Sequence, residues 1–71
     1  MEKIETTVAG RVLSILVAIG DRVEVGDEVV KIESMKMELP VEAEYDGTVT
    51  RICVAVDDEI DEGAVLIELS A

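Results

Sequence analysis

The chain has no histidine, tryptophan or phenylalanine, and its 71 residues hold one tyrosine, one proline and one cysteine. Without histidine it lacks the side chain that ordinarily titrates near neutrality, and also the commonest metal ligand. Cys53 stands alone, which excludes an internal disulfide and leaves no ligand set for zinc or an iron–sulfur cluster, so no metal is expected. We expect that thiol to be a small core residue. Basic residues are scarce, six against 17 acidic ones, for a net charge of −11. Such a surface repels phosphate backbones and anionic lipid, so neither nucleic acid nor membrane is an expected partner, whereas basic patches on other proteins are. No run approaches the ~18 continuous apolar residues of a membrane span. Met1-Glu2-Lys3-Ile4-Glu5 lacks the apolar stretch of a signal peptide. Together with an unpaired thiol, that predicts a cytoplasmic, reducing setting.

The apolar residues present are almost all aliphatic, valine foremost, and the only aromatic is Tyr45. A core built of β-branched side chains favours strands. A chain this short buries only about 60% of the surface its unfolded form exposes. One domain over 1–71, monomeric and without a deep catalytic cleft, is expected.

An internal repeat organises the chain. Shifted by 37 positions without a gap, Gly10 meets Gly47, Val12 meets Val49, Ile15 meets Ile52, Val17 meets Val54, Asp21 meets Asp58 and Gly26 meets Gly63. Glycines and aspartates fall in register along with the valines, which composition alone does not produce. Each half reads as a glycine-opened strand (Arg11 to Val17, Thr48 to Val56), an Asp-bearing turn, a short strand, a glycine turn and a closing strand (Val29 to Glu33, Val65 to Leu69). No segment holds apolar residues at helical spacing over three turns. In both long strands the inward pattern slips between Val12 and Ile15 and between Val49 and Ile52, which predicts a bulge in each.

The fold expected is therefore all-β: a flattened barrel or sandwich of two antiparallel sheets with internal pseudo-two-fold symmetry, in which neither half is stable alone. The long insertion between halves, Ser34 to Asp46, reads as a hairpin turning at Met35-Lys36, with Met37, Leu39, Val41 and Ala43 on one face of its returning segment. Its symmetry counterpart is the chain terminus, so Lys36 and the termini should lie at opposite ends. Pro40 cannot donate a ladder hydrogen bond, which puts the returning segment at an edge.

Met35-Lys36-Met37, with Glu33 and Ser34 before it and Glu38 after it, is the one run that calls for a chemical explanation. A turn lysine between filler methionines is an ordinary surface feature. At the tip of a rigid repeat, however, a primary amine on a four-carbon stem is an acceptor for acylation, and the flanking thioethers offer soft apolar contact to an approaching enzyme. Glu33, Ser34, Met35 and Met37 are the candidate recognition residues around Lys36. No catalytic residue is expected.

The run Glu33-Ser34-Met35-Lys36-Met37-Glu38 resembles the attachment sequence of the biotinyl/lipoyl family. The likeness extends from about Ile4 to Leu69 through Ala9-Gly10-Arg11-Val12, Gly20-Asp21-Arg22-Val23, Gly26 and Asp46-Gly47-Thr48-Val49. That resemblance implies a barrel-sandwich hybrid of two four-stranded sheets and covalent biotin on Lys36, attached by a biotin protein ligase that uses ATP. It also implies carboxyl transfer between biotin carboxylase and carboxyltransferase partners, which hold the catalysis. Ser34 stands where alanine is commoner, Val8-Ala9 where Pro-Met is frequent, and Glu44-Tyr45 where Ala-Pro is frequent. The extra loop of some acetyl-CoA carboxylase carriers is missing, which gives the chain the look of a short, free-standing attachment protein or of the terminal domain of a larger carboxylase. Two other readings share the fold: a lipoyl carrier of a 2-oxo acid dehydrogenase or glycine-cleavage system, and an unmodified interaction module. Methionine on both sides of Lys36 favours biotin, since lipoyl domains typically place an acidic residue before the lysine.

Overall fold

The computed structural model describes residues 2–70. Eight strands follow in order: β1 (Glu2–Glu5), β2 (Gly10–Ile15), β3 (Arg22–Val23), β4 (Glu28–Ser34), β5 (Met37–Glu42), β6 (Gly47–Ile52), β7 (Glu59–Ile60) and β8 (Val65–Ser70). They form two four-stranded antiparallel sheets, ordered β1-β8-β6-β3 and β5-β4-β2-β7. The centre of each sheet comes from one half of the repeat and both edges come from the other. Neither half can complete a sheet by itself.

Hydrogen bonds repeat at the same offset of 37. The Gly20 N–H donates to the Val49 carbonyl and the Asp57 N–H to the Val12 carbonyl, each at 2.8 Å. In return Val49 donates to Asp21 at 2.8 Å and Val12 to Asp58 at 2.9 Å. The Asp21 and Asp58 carboxylates each accept from a backbone N–H three residues earlier, Ala18 and Ala55, both at 2.9 Å. These aspartates stabilise the turns by satisfying backbone donors there. Register shifts interrupt β2 between Val12 and Ser14 and β6 between Val49 and Arg51, where the slipped apolar pattern predicts bulges.

Val12, Val23, Val29, Val30 and Ile32 pack against Val49, Leu66, Ile67 and Leu69, with Ile4, Val41 and Ala43 completing the core. Val29 and Val30 are buried together, as are Leu66 and Ile67, so the closing strands depart from simple alternation. A register shift between Glu28 and Val30 lets β4 turn both neighbours inward. The long strands end at Ile15 and Ile52, earlier than their valines suggest, yet Val17 and Val54 still pack on the core beyond them.

Two expectations need correction. Cys53 is exposed and lies just past β6, where its sulfur donates a long hydrogen bond to the Glu68 carboxylate at 3.8 Å. The sequence suggested a core position because a small thiol usually packs inside, but the bulge in β6 shifts the alternation and turns this residue outward. Met37 does not share the buried face of Val41 and Ala43. It is 61% exposed, because the core stops below the hairpin tip and Leu39 is already only half-buried.

Gly10 and Gly47 are required by close approach, and neither has a positive φ. A Cβ on Gly47 would stand 2.6 Å from the Ser70 carbonyl oxygen, and one on Gly10 would collide with the Glu33 carbonyl. Gly10→Val and Gly47→Val are each expected to cost about 2 kcal/mol or more, read as a lowered urea midpoint. A wild-type midpoint for either would refute the close contact. Partial desolvation of the Cys53 thiol, then the Glu68 charge, push its pKa up. Because the thiolate is the nucleophile, Cys53 should alkylate more slowly than an unperturbed cysteine at about pH 8, and Glu68→Gln should speed it.

Candidate functional site

β4 and β5 are joined by two residues, Met35 and Lys36, with Ser34 opposite Met37 as the last ladder pair. Both loop residues have left-handed backbone, at φ 53° and 65°. Two central residues with positive φ make a type I′ hairpin, whose twist matches the strands it joins. Asn-Gly is the usual sequence for such a turn. A methionine and a lysine there carry a backbone cost of about 1 kcal/mol each, met by the six-pair ladder below. The local sequence is thus not the one that best suits the turn's backbone.

Both side chains stand clear of the fold. Met35 is 92% exposed, Lys36 is exposed, and no salt bridge among the described residues engages the lysine. The amine is free to react. Met35 and Met37 flank it as two exposed thioethers, while Ser34 and Glu33 are half-buried at the base of the hairpin. Glu33 accepts a hydrogen bond from Arg11 Nη2 at 3.1 Å. Arg11 was not among the residues singled out in the sequence, although it follows the repeat glycine Gly10, whose missing Cβ lies against Glu33.

The position of the tip follows from register. β3 pairs with Gly47 and Thr48 at the start of β6, beside Ser70, and the chain then enters β4 at Glu28. The seven residues of β4 carry it about 20 Å to Ser34 at the other end. Glu2 lies opposite Leu69 as Leu39 lies opposite Ile32, so the ends of the described chain sit where the second half's tip would be. The molecule is elongated, 34 × 19 × 18 Å. Two shallow hollows, one beside Ala9, Gly10 and Ile60 and one beside Val25, Pro40 and Ala43, do not include Lys36. Among the described residues no group of His, Cys, Asp or Glu could hold a metal ion. The site offers an exposed lysine side chain on a fully paired hairpin.

The fold and site are those of a small two-sheet domain that presents an exposed lysine on a two-residue turn. Residues 2–69 match the biotin/lipoyl family described as biotin-requiring enzyme, and the chain belongs to that family. It is 44% identical over 62 residues to the biotin/lipoyl attachment protein of Bacillus subtilis, covering 87% of this chain and 85% of that one. A biotinylated protein TB7.3 homolog of Mycobacterium leprae is 38% identical over 69 residues, covering 97% of each. Within the solved Kluyveromyces lactis urea carboxylase, a stretch 33% identical superposes with a TM-score of 0.91, covering 97% of this chain and 6% of that one. The family is non-catalytic, and its fold is the one described above.

The left-handed turn makes a stability prediction. Met35→Asn and Lys36→Gly should each stabilise the domain by roughly 0.5–1 kcal/mol in chemical denaturation, whereas Lys36→Arg should stay within about 0.5 kcal/mol of wild type. A large loss on Lys36→Arg would make the lysine structural.

Proposed function

We propose that Lys36 is the acceptor for covalent biotin and that the domain carries a carboxyl group between a biotin carboxylase site and a carboxyltransferase site. The observation that carries this reading is the free, exposed Lys36 on a strained two-residue turn flanked by exposed methionines. The names of its relatives, a biotinylated protein among them, support it. Acylation would join Lys36 Nζ to the biotin carboxyl group as an amide: a biotin protein ligase would present that carboxyl as its mixed anhydride with AMP, pyrophosphate having left ATP, and AMP and the amine's proton would leave as the C–N bond forms. Bound biotin would supply a ureido nitrogen that takes up and releases carboxylate. The chain's own part is to hold the lysine outward at the hairpin tip, at the opposite end of the fold from Glu2 and Leu69, so that two enzymes can each close around it. Modification also removes the lysine charge, leaving a neutral arm above an acidic body.

Lipoate is the second reading, favoured by the name of the Bacillus subtilis relative, a biotin/lipoyl attachment protein. Intact mass decides between them. Protein from cells expressing biotin protein ligase should carry one biotinyl adduct, mapped to Lys36 by peptide sequencing and absent in Lys36→Arg. A lipoyl adduct, or an unmodified Lys36 in ligase-rich cells, would overturn the biotin reading.

A further inference from the structure

Glu33 stands between opposite charges on the outer face of its sheet. In the β4–β5 ladder it lies directly opposite Glu38, and in the β2–β4 ladder it lies opposite Arg11. Directly opposed residues project to the same face about 5 Å apart, so Glu33 and Glu38 set like charges side by side beneath the Lys36 turn. Arg11 is the cation that reaches Glu33. Its Nη2 donates to Oε1 of Glu33 at 3.1 Å, and its Nη1 stands 3.9 Å from Oδ1 of Asp57, in the turn leading to β7. Lys31 shares that face two residues earlier in β4 but makes no ion pair among the described residues.

The Arg11 and Glu33 side chains are 47% and 41% exposed, and an ion pair that open to solvent adds little to stability. Its effect is on orientation. Bonding to one carboxylate oxygen draws Glu33 towards β2 and away from Glu38, while Oε2 has no hydrogen-bond partner among the described residues. We propose that Arg11 is a positioning residue for the acylation of Lys36, acting through Glu33 by holding one carboxylate oxygen so that the other faces the modifying enzyme. The longer contact, 3.9 Å to the exposed Asp57 carboxylate, places an acidic group of the second half on the guanidinium's other nitrogen. The proposal rests on the reading that Lys36 is the acceptor.

The test measures initial rates of biotin transfer by purified biotin protein ligase with ATP and biotin, over a range of unmodified carrier concentrations. Arg11→Ala should raise KM for the carrier about fivefold with kcat changed less than twofold, and Arg11→Lys should restore part of the loss. In a Glu33→Gln background, Arg11→Ala should add nothing further, since both changes remove one interaction. Side-chain scalar couplings of Glu33 supply a reading without any enzyme: one χ1 rotamer in wild type, averaged rotamers in Arg11→Ala. Unchanged kinetics in Arg11→Ala, or an equal loss in the Glu33→Gln background, would overturn the proposal. A fall in kcat together with a lowered melting temperature would make Arg11 structural and also overturn it. Wild-type protein that takes up no biotin would remove the acceptor reading itself, and would do so whatever the rotamers of Glu33.

Discussion

The exchange of edge strands between the two halves is the constraint on which the rest depends. Each sheet takes its two central strands from one half and both edges from the other, bound by matching backbone pairs such as Gly20 to Val49 and Asp57 to Val12. Valine side chains in so small a domain are buried only when both sheets are complete. A cooperative fold follows, with no local unit to which the tip hairpin could be shed. That rigidity is what allows a methionine and a lysine to occupy left-handed backbone at the turn. An unsupported hairpin with those residues would relax to another turn.

Much of this architecture was legible because it occurs twice. The shift of 37 marks the long and closing strands of each half, the short strands between them and the hairpin at Met35-Lys36, and the slipped apolar phase marks the bulges near Val12 and Val49, whereas β1 carries no such signal. The left-handed backbone at Asp57, φ 76° against 96° at its repeat mate Gly20, emerged only from the structure, because an aspartate gives no such signal by itself. Other features depended on tertiary context. Cys53 faces solvent because a bulge changes the parity of β6, and parity after a bulge is not readable from alternation. Met37 follows the apolar pattern of β5 but lies beyond the level the core reaches. Arg11 and Glu33 are 22 residues apart, and only ladder register makes them neighbours.

At the candidate site, the identity of Lys36 and its neighbours was visible in the sequence, while the way they are presented was not. Nothing in Met35-Lys36 signals a type I′ turn, which normally shows as Asn-Gly. The residues that suit a left-handed turn are not the ones present, and on the proposed reading the chemistry of Lys36 accounts for the difference. Below the tip, the carboxylates of Glu33 and Glu38 oppose each other, with Arg11 offsetting part of their repulsion. Two of the three non-glycine left-handed positions among the described residues, Met35 and Lys36, and the opposed Glu33 and Glu38 gather within a few residues of the lysine, while Asp57 and the opposed Glu28 and Glu42 lie elsewhere.

The pairing of Glu2 with Leu69 in one ladder has a further consequence. Chain entering at the first strand and chain leaving from the last pass through the same doorway, on neighbouring strands and far from the tip. A polypeptide of any length can therefore be interrupted by this unit as a cassette, with no strand rethreaded and no contact at the lysine disturbed. The same body thus serves as most of a short chain or as 6% of a long one, as in the urea carboxylase. What differs between those settings is the length of the leash.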